Sequence, residues 1–162
     1  MTISKKIILT GSFGVGKTSL FNQYIHSIFD NKYLTTIGVK VSKKTIDIDG
    51  RELSMLIWDI AGEVSQDKVP LSYFMGAEGI IYVFDITRQS TVANLKTDLE
   101  YLKKIVPNST TRIVGNKKDL LDADQIAAFL AEHDLKPDIL TSAKTGENVA
   151  QLFYDLGAAM LQ

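Results

Sequence analysis

The chain has 162 residues, of which 45% are hydrophobic and 23% charged, and its formal net charge is −1. These are the proportions of an ordinary soluble domain, long enough for one core, and there is no basic surplus with which to capture nucleic acid. No cysteine occurs, which excludes a disulfide framework, a cysteine-ligated zinc site, a cysteine nucleophile and a direct lipid anchor attached through a thiol; we expect a cytoplasmic protein.

Strand-like and helix-like segments alternate along the chain. In chain order, the pattern predicts strand 6–10, helix 16–26, strands 39–47 and 52–59, strand 79–85, helix 91–104, strand 111–115, helix 122–133, strand 139–140 and helix 146–160. Asp49-Gly50 is a hairpin turn signal, so the second and third strands are predicted to pair antiparallel, whereas the others need parallel crossovers. The predicted fold class is α/β: three layers, a six-stranded mostly parallel sheet with one antiparallel strand, and about five helices.

Residues 11–18, between the first strand and the first helix, fit the phosphate-loop pattern G-x-x-x-x-G-K-[ST]. Glycines let the backbone curl so that N–H groups point at phosphate oxygens, and the helix N-terminus adds positive charge. Lys17 would supply a point charge to the phosphates and Thr18 a hydroxyl to Mg²⁺. The alternative is a glycine-rich turn that caps a helix. The candidate phosphate-binding residues are Phe13, Gly14, Val15, Gly16, Lys17, Thr18 and Ser19.

Two later segments carry groups suited to a purine base. In Asn116-Lys117-Lys118-Asp119, Asp119 can accept two hydrogen bonds from guanine, whereas adenine would leave its carboxylate unpaired. The aliphatic stem of Lys117 can lie flat on a purine ring. In Ser142-Ala143-Lys144, a backbone N–H could meet the guanine 6-oxo group. Alternatively, Asp119 caps a helix and residues 142–144 form a simple loop. A different function, that of an ATPase or small-molecule kinase, would require the 116–119 motif to be accidental.

With these motifs in this order, the sequence resembles the Ras superfamily of small GTPases, most closely its Rab branch, over essentially the whole chain. The resemblance rests on the phosphate loop and on segments 33–39, 58–62, 73–81, 116–119 and 142–144. It implies a single P-loop G domain over residues 1–162 that binds GTP or GDP with Mg²⁺ and hydrolyses GTP. It also implies a molecular switch whose effectors contact switch I and switch II, with an exchange factor and a GTPase-activating protein as further partners.

The resemblance also assigns roles to residues of the two switches. Thr36 would coordinate Mg²⁺ when a γ-phosphate is present, Asp59 would hold Mg²⁺ through water, and Gly62 would give its N–H to the γ-phosphate. Phe29 would stack on guanine, although alone it is also a plausible packing residue, and Tyr33 would close over the phosphates. The implied catalytic set is Lys17, Thr36, Gly62 and Glu63, and the implied metal ligands are Thr18, Thr36 and Asp59.

Two departures from the family pattern concern catalysis. Glu63 stands where family members usually have Gln; an ionised Glu only accepts hydrogen bonds, and it carries negative charge toward an anionic phosphate. Phe13 stands where the pattern has a small residue, and its ring should crowd the γ-phosphate, the attacking water or a partner's arginine. We therefore predict slow GTP hydrolysis. The alternative is a pseudo-GTPase that binds nucleotide with negligible turnover.

Other departures concern partners and membranes. Val41 stands where Rabs usually place Phe in an exposed triad with Trp58, and Met75 stands where they carry Arg. Trp58 fits either an effector contact or cohesion of the sheet with switch II. The last residues carry no polybasic run. The chain was therefore cut here, acts without a membrane anchor, or is one domain of something longer.

Overall fold

The computed structural model describes residues 2–26, 39–60 and 68–162. Its strands are β1 Ile3–Gly11, β2 Val39–Ile48, β3 Arg51–Ile60, β4 Ala77–Asp85, β5 Thr110–Asn116 and β6 Ile139–Leu140. Its helices are α1 Lys17–His26, α2 Leu71–Phe74, α3 Leu95–Ile105, α4 Ala123–Glu132 and α5 Val149–Met160, with short 3₁₀ turns at Gln89–Thr91 and Lys118–Leu120.

The six strands form one sheet in the order β2-β3-β1-β4-β5-β6. Strands β2 and β3 pair antiparallel, and every other neighbouring pair is parallel. Asp49 and Gly50 close the β2–β3 hairpin with φ angles of 51° and 84°, the left-handed backbone that such tight turns require. The predicted fold class and its single antiparallel pairing are confirmed.

Apolar side chains cover both faces of the sheet, which explains why β1 and β4 have continuous apolar sequences. On one face, Leu20 of α1 and Phe153 of α5 pack with the inward residues of the strands. On the other face, Leu102 of α3 packs on Ile80 and Tyr82 of β4. None of the described helices is long and apolar enough to cross a membrane. Because β1, β4, β5 and β6 run parallel, their carboxyl ends lie on the same side of the sheet.

Two predicted helix starts are wrong. Helix α3 begins at Leu95, not at residue 91, because the fully buried Thr91 belongs to a 3₁₀ turn and its hydroxyl accepts a hydrogen bond from the Asp85 amide at 3.0 Å. Helix α5 begins at Val149, not at residue 146, because Asn148 has a left-handed φ of 62°. In both cases a contact or a backbone bend that lies just before the helix overrides its apolar periodicity.

Candidate functional site

The phosphate loop joins the end of β1 to the start of α1, and two of its glycines are sterically required. A Cβ on Gly11, whose φ is 144°, would lie 2.2 Å from the carbonyl oxygen of Val83. A Cβ on Gly16, whose φ is 98°, would lie 2.3 Å from the side-chain nitrogen of Asn116. The loop is therefore wedged between β4 and the end of β5, and only glycine fits at these two positions.

Lys17, at the first position of α1, is a buried cation. Its Nζ donates a 3.0 Å hydrogen bond to the carbonyl oxygen of Ser12, so the side chain folds back under the loop. Burial lowers the pKa of Lys17 to about 8, and the negative charge of Asp59 opposes that shift. A partly desolvated ammonium in this position is well suited to attract the oxygens of a phosphate chain.

Thr18 and Asp59 bring two hard oxygen ligands together next to that cation. The Thr18 hydroxyl donates a 2.7 Å hydrogen bond to Oδ2 of Asp59 across the gap between α1 and β3, and both residues are buried. A hydroxyl and a carboxylate with phosphate oxygens nearby are the donor set that Mg²⁺ prefers, so these residues fit the ion. The described residues hold no cluster of three or more His, Asp or Glu that could cage a metal without a ligand's help.

Asn116, the last residue of β5, lies at the centre of the site. Its side-chain nitrogen donates to the carbonyl oxygen of Val15 at 2.9 Å. Its side-chain oxygen accepts bonds from the Thr141 hydroxyl at 3.0 Å and from the Ala143 amide at 3.3 Å. One side-chain amide therefore joins the phosphate loop to the loop that follows β6.

Asp119 and Ser142 form the outer part of the same region. Asp119 is exposed, and its Oδ1 accepts a 2.7 Å hydrogen bond from the hydroxyl of the fully buried Ser142. Asp119 does not cap α4; Asp122 does, in a capping box with Gln125. The carboxylate of Asp119 is thus oriented by a side chain of the 142–144 loop, while Lys144 of that loop is exposed.

Of the remaining predicted site residues, some lie within the described ranges and others lie outside them. Phe13 is 37% exposed at the tip of the phosphate loop, and Ser19 is half-buried in α1. Val41 is exposed, and Trp58 is half-buried with the Lys6 ammonium 3.8 Å from its ring. The predicted switch residues that lie outside the described residues are Phe29, Tyr33, Thr36, Gly62 and Glu63.

The structure adds two residues that the sequence arguments missed. The guanidinium of Arg88 donates a 3.2 Å hydrogen bond to the carbonyl oxygen of Phe13. Asp85, at the end of β4, is fully buried and lies 2.8 Å from the Lys117 ammonium. The only signal of Asp85 in the sequence is an acidic residue that ends an otherwise apolar strand, and Arg88 leaves no signal there.

The chain is similar in sequence to known proteins. The sequence pattern of the Ras family matches residues 6–162. The chain is 35% identical over 159 residues to the Ras-related protein SEC4 of Saccharomyces cerevisiae, an alignment that covers 93% of this chain and 72% of the relative. It is 32% identical over 162 residues to the Ras-related protein Rab-13 of Canis lupus familiaris, with 96% of this chain and 79% of the relative covered.

Proposed function

Because the chain belongs to the Ras family, whose members are GTP-binding molecular switches, we propose that it binds Mg·GTP and Mg·GDP and hydrolyses GTP to GDP. One observation carries the proposal. The phosphate loop, the 116–119 segment and the 142–144 loop meet at the carboxyl ends of the strands, joined through the side chain of Asn116. We also propose that residues 1–162 form one G domain, which the match over residues 6–162 supports.

The described residues divide the work of binding. Loop N–H groups and the Lys17 ammonium would hold the phosphates, and Asp119 would accept hydrogen bonds from the guanine edge. Thr18 and Asp59 would hold Mg²⁺, which neutralises phosphate charge when bound. The closeness of Lys17, Thr18 and Asp59 supports this division, since cation and metal ligands then share one phosphate-binding region.

We propose that hydrolysis is slow because of Phe13 and Glu63. Phe13 is exposed at the tip of the phosphate loop, where its ring would crowd the γ-phosphate or an incoming arginine. Glu63 lies outside the described residues. Its proposed effect rests on charge alone, because an ionised carboxylate would repel the anionic phosphate. If Phe13 and Glu63 together stop hydrolysis entirely, the protein is instead a pseudo-GTPase module that binds nucleotide without turnover.

The partners follow from the switch mechanism. We propose effectors that contact switch I and switch II, an exchange factor and a GTPase-activating protein. The half-buried Trp58, which packs against Tyr73 with ring centroids 6.2 Å apart, supports a contact surface beside switch II. Val41 beside it is exposed and smaller than the usual Phe, so the preferred effector should differ from those of Rabs that keep the aromatic residue.

The experiment that tests nucleotide class is a displacement titration. The purified protein is loaded with a fluorescent GDP analogue in the presence of Mg²⁺ and titrated with GTP, GDP and ATP. We expect GTP and GDP to displace the analogue at similar concentrations and ATP to fail at a thousandfold higher concentration. Displacement by ATP at concentrations comparable to GTP would contradict the proposal. The Asp119→Ala variant, which lacks the base-reading carboxylate, should lose most of this preference.

A further inference from the structure

The carboxylate of Asp85 is held in one orientation by the turn that follows β4. The residue is completely buried. Its Oδ1 accepts two hydrogen bonds from Thr87, one from the amide at 2.8 Å and one from the hydroxyl at 2.6 Å. Such a pair of short-range bonds fixes the plane of the carboxylate and leaves Oδ2 directed away from the turn.

Oδ2 of Asp85 faces the Lys117 ammonium. The two atoms lie 2.8 Å apart, and Oδ2 accepts no hydrogen bond of good geometry from any described residue, so the contact is an ion pair without a linear bond. Burying a carboxylate is costly unless a cation lies beside it. Lys117 is the cation that compensates Asp85, and the loss of either charge would leave the other poorly matched.

The same ammonium also reaches the phosphate loop. Nζ of Lys117 donates a 3.0 Å hydrogen bond to the carbonyl oxygen of Gly14. The Lys117 backbone is left-handed, with φ 71° and ψ 34°, and its side chain is 28% exposed. The ammonium therefore lies between β4 and the phosphate loop, while part of the side chain stays accessible.

A lysine side chain has many rotamers, and one carbonyl is a weak restraint on them. The buried carboxylate selects the rotamer that also bridges to the phosphate loop. We propose that Asp85 is a positioning residue for nucleotide binding. Through Lys117 it holds the base-binding segment against the phosphate loop, and it thereby slows nucleotide release. This inference rests on the proposed guanine-nucleotide site and adds a residue to it.

The test measures release of a fluorescent GDP analogue after addition of excess unlabelled GDP at fixed Mg²⁺. We expect the Asp85→Asn variant, which keeps the shape but removes the charge, to release nucleotide about tenfold faster or more. The Lys117→Met variant should also release faster. The double variant should be no faster than Lys117→Met alone, because Asp85 acts through that lysine.

The matched control is Asp138→Asn. The Asp138 carboxylate accepts a 2.7 Å hydrogen bond from the amide of Ile113 in β5, so the same chemical change is made at a bonded aspartate away from Lys117. This variant should release nucleotide at a rate within twofold of the unmodified protein. Should Asp85→Asn fail to fold by circular dichroism, Thr87→Val, which removes one bond to the carboxylate, should still raise the release rate severalfold.

Two results would overturn the inference. In one, Asp85→Asn lowers the melting temperature but its release rate stays within twofold of the unmodified protein. In the other, the effects of Asp85→Asn and Lys117→Met multiply in the double variant. Either result leaves the proposed nucleotide binding intact, since that requires only that the unmodified protein bind the GDP analogue. If the unmodified protein binds none, both proposals fail.

Discussion

The side-chain nitrogen of Asn116 donates a 2.9 Å hydrogen bond to the carbonyl oxygen of Val15, which is 101 residues away in the chain. This bond fastens the phosphate loop to the end of β5. Its geometry also explains the glycine that follows Val15, because any Cβ on Gly16 would collide with the same amide. The phosphate loop therefore depends for its shape on a residue of the 116–119 segment.

Replacing Asn116 with Ala should weaken both the fold and nucleotide retention. The change leaves the buried carbonyl of Val15 and the Thr141 hydroxyl without their partner, and each buried unsatisfied group costs about 1–3 kcal/mol. Chemical denaturation of the nucleotide-loaded protein should show this loss, together with faster release of a fluorescent nucleotide. Asn94→Ala is the control, since the Asn94 side chain makes no capping bond to α3, and it should change neither quantity appreciably.

Replacing Gly16 with Ala should abolish tight nucleotide binding, whereas replacing Gly50 with Ala should not. Both glycines have positive φ, 98° and 84°, so both substitutions strain the backbone by roughly 1 kcal/mol. A Cβ at Gly50 meets nothing within 4 Å, whereas one at Gly16 overlaps Asn116. Equilibrium binding of a fluorescent GDP analogue separates the two effects. Equal affinity of the two variants for the GDP analogue would contradict the predicted clash between residue 16 and the Asn116 side chain.

Nucleotide affinity should fall as the pH rises through about 8. Lys17 has a pKa of about 8 in the ligand-free fold, and a bound phosphate chain favours its charged form. Below that pH the affinity should be constant; above it, binding must take up a proton, which costs up to about tenfold in affinity per pH unit. Guanine also loses a proton in alkaline solution. The Lys17→Arg variant, which stays charged, measures that contribution and should show the weaker pH dependence.

The same shift has the opposite sign for the stability of the ligand-free protein. Its folded pKa of about 8 lies below the unfolded value of about 10.4, so the unfolded chain binds more protons between these limits. Lys17 therefore makes the ligand-free fold more stable as the pH rises across that window, by up to about 1.4 kcal/mol per unit. Urea unfolding of nucleotide-free protein at pH 7.5 and 9.5 checks this, with Lys17→Arg expected to lose the trend.

Single-turnover hydrolysis of bound GTP should be slow, and it should respond separately to the two unusual residues. Glu63→Gln introduces a side chain that can orient water, and Phe13→Gly removes the ring that we propose would crowd the γ-phosphate. We expect each to raise the rate severalfold or more. A rate for the unmodified protein well above that of typical small GTPases would contradict the prediction. Turnover that stays undetectable even with cell extract would instead favour the pseudo-GTPase alternative.

Much of the fold could be predicted from local patterns. The six strands, the hairpin at Asp49-Gly50 and the membership of the Ras family are confirmed, and each depends on residues that are adjacent in sequence. The predicted starts of α3 and α5 are wrong because the contacts that decide them lie outside each helix. The Thr91 hydroxyl is hydrogen-bonded to the end of β4, and the Asn148 side chain donates to the carbonyl oxygen of Leu140 at 2.8 Å. The individual site residues and the slow hydrolysis remain predictions.

The sequence by itself determined which chemical groups are present: a phosphate loop with its lysine and threonine, an aspartate suited to guanine, and no cysteine. Only the tertiary structure decided which of them act together. Parallel strand order brings the ends of β1, β4 and β5 side by side, so Asp85, Lys117 and Gly14 meet although they are far apart in the chain. The physical reason is that spacing along the chain encodes local conformation, whereas the partner of a buried charge is chosen by packing.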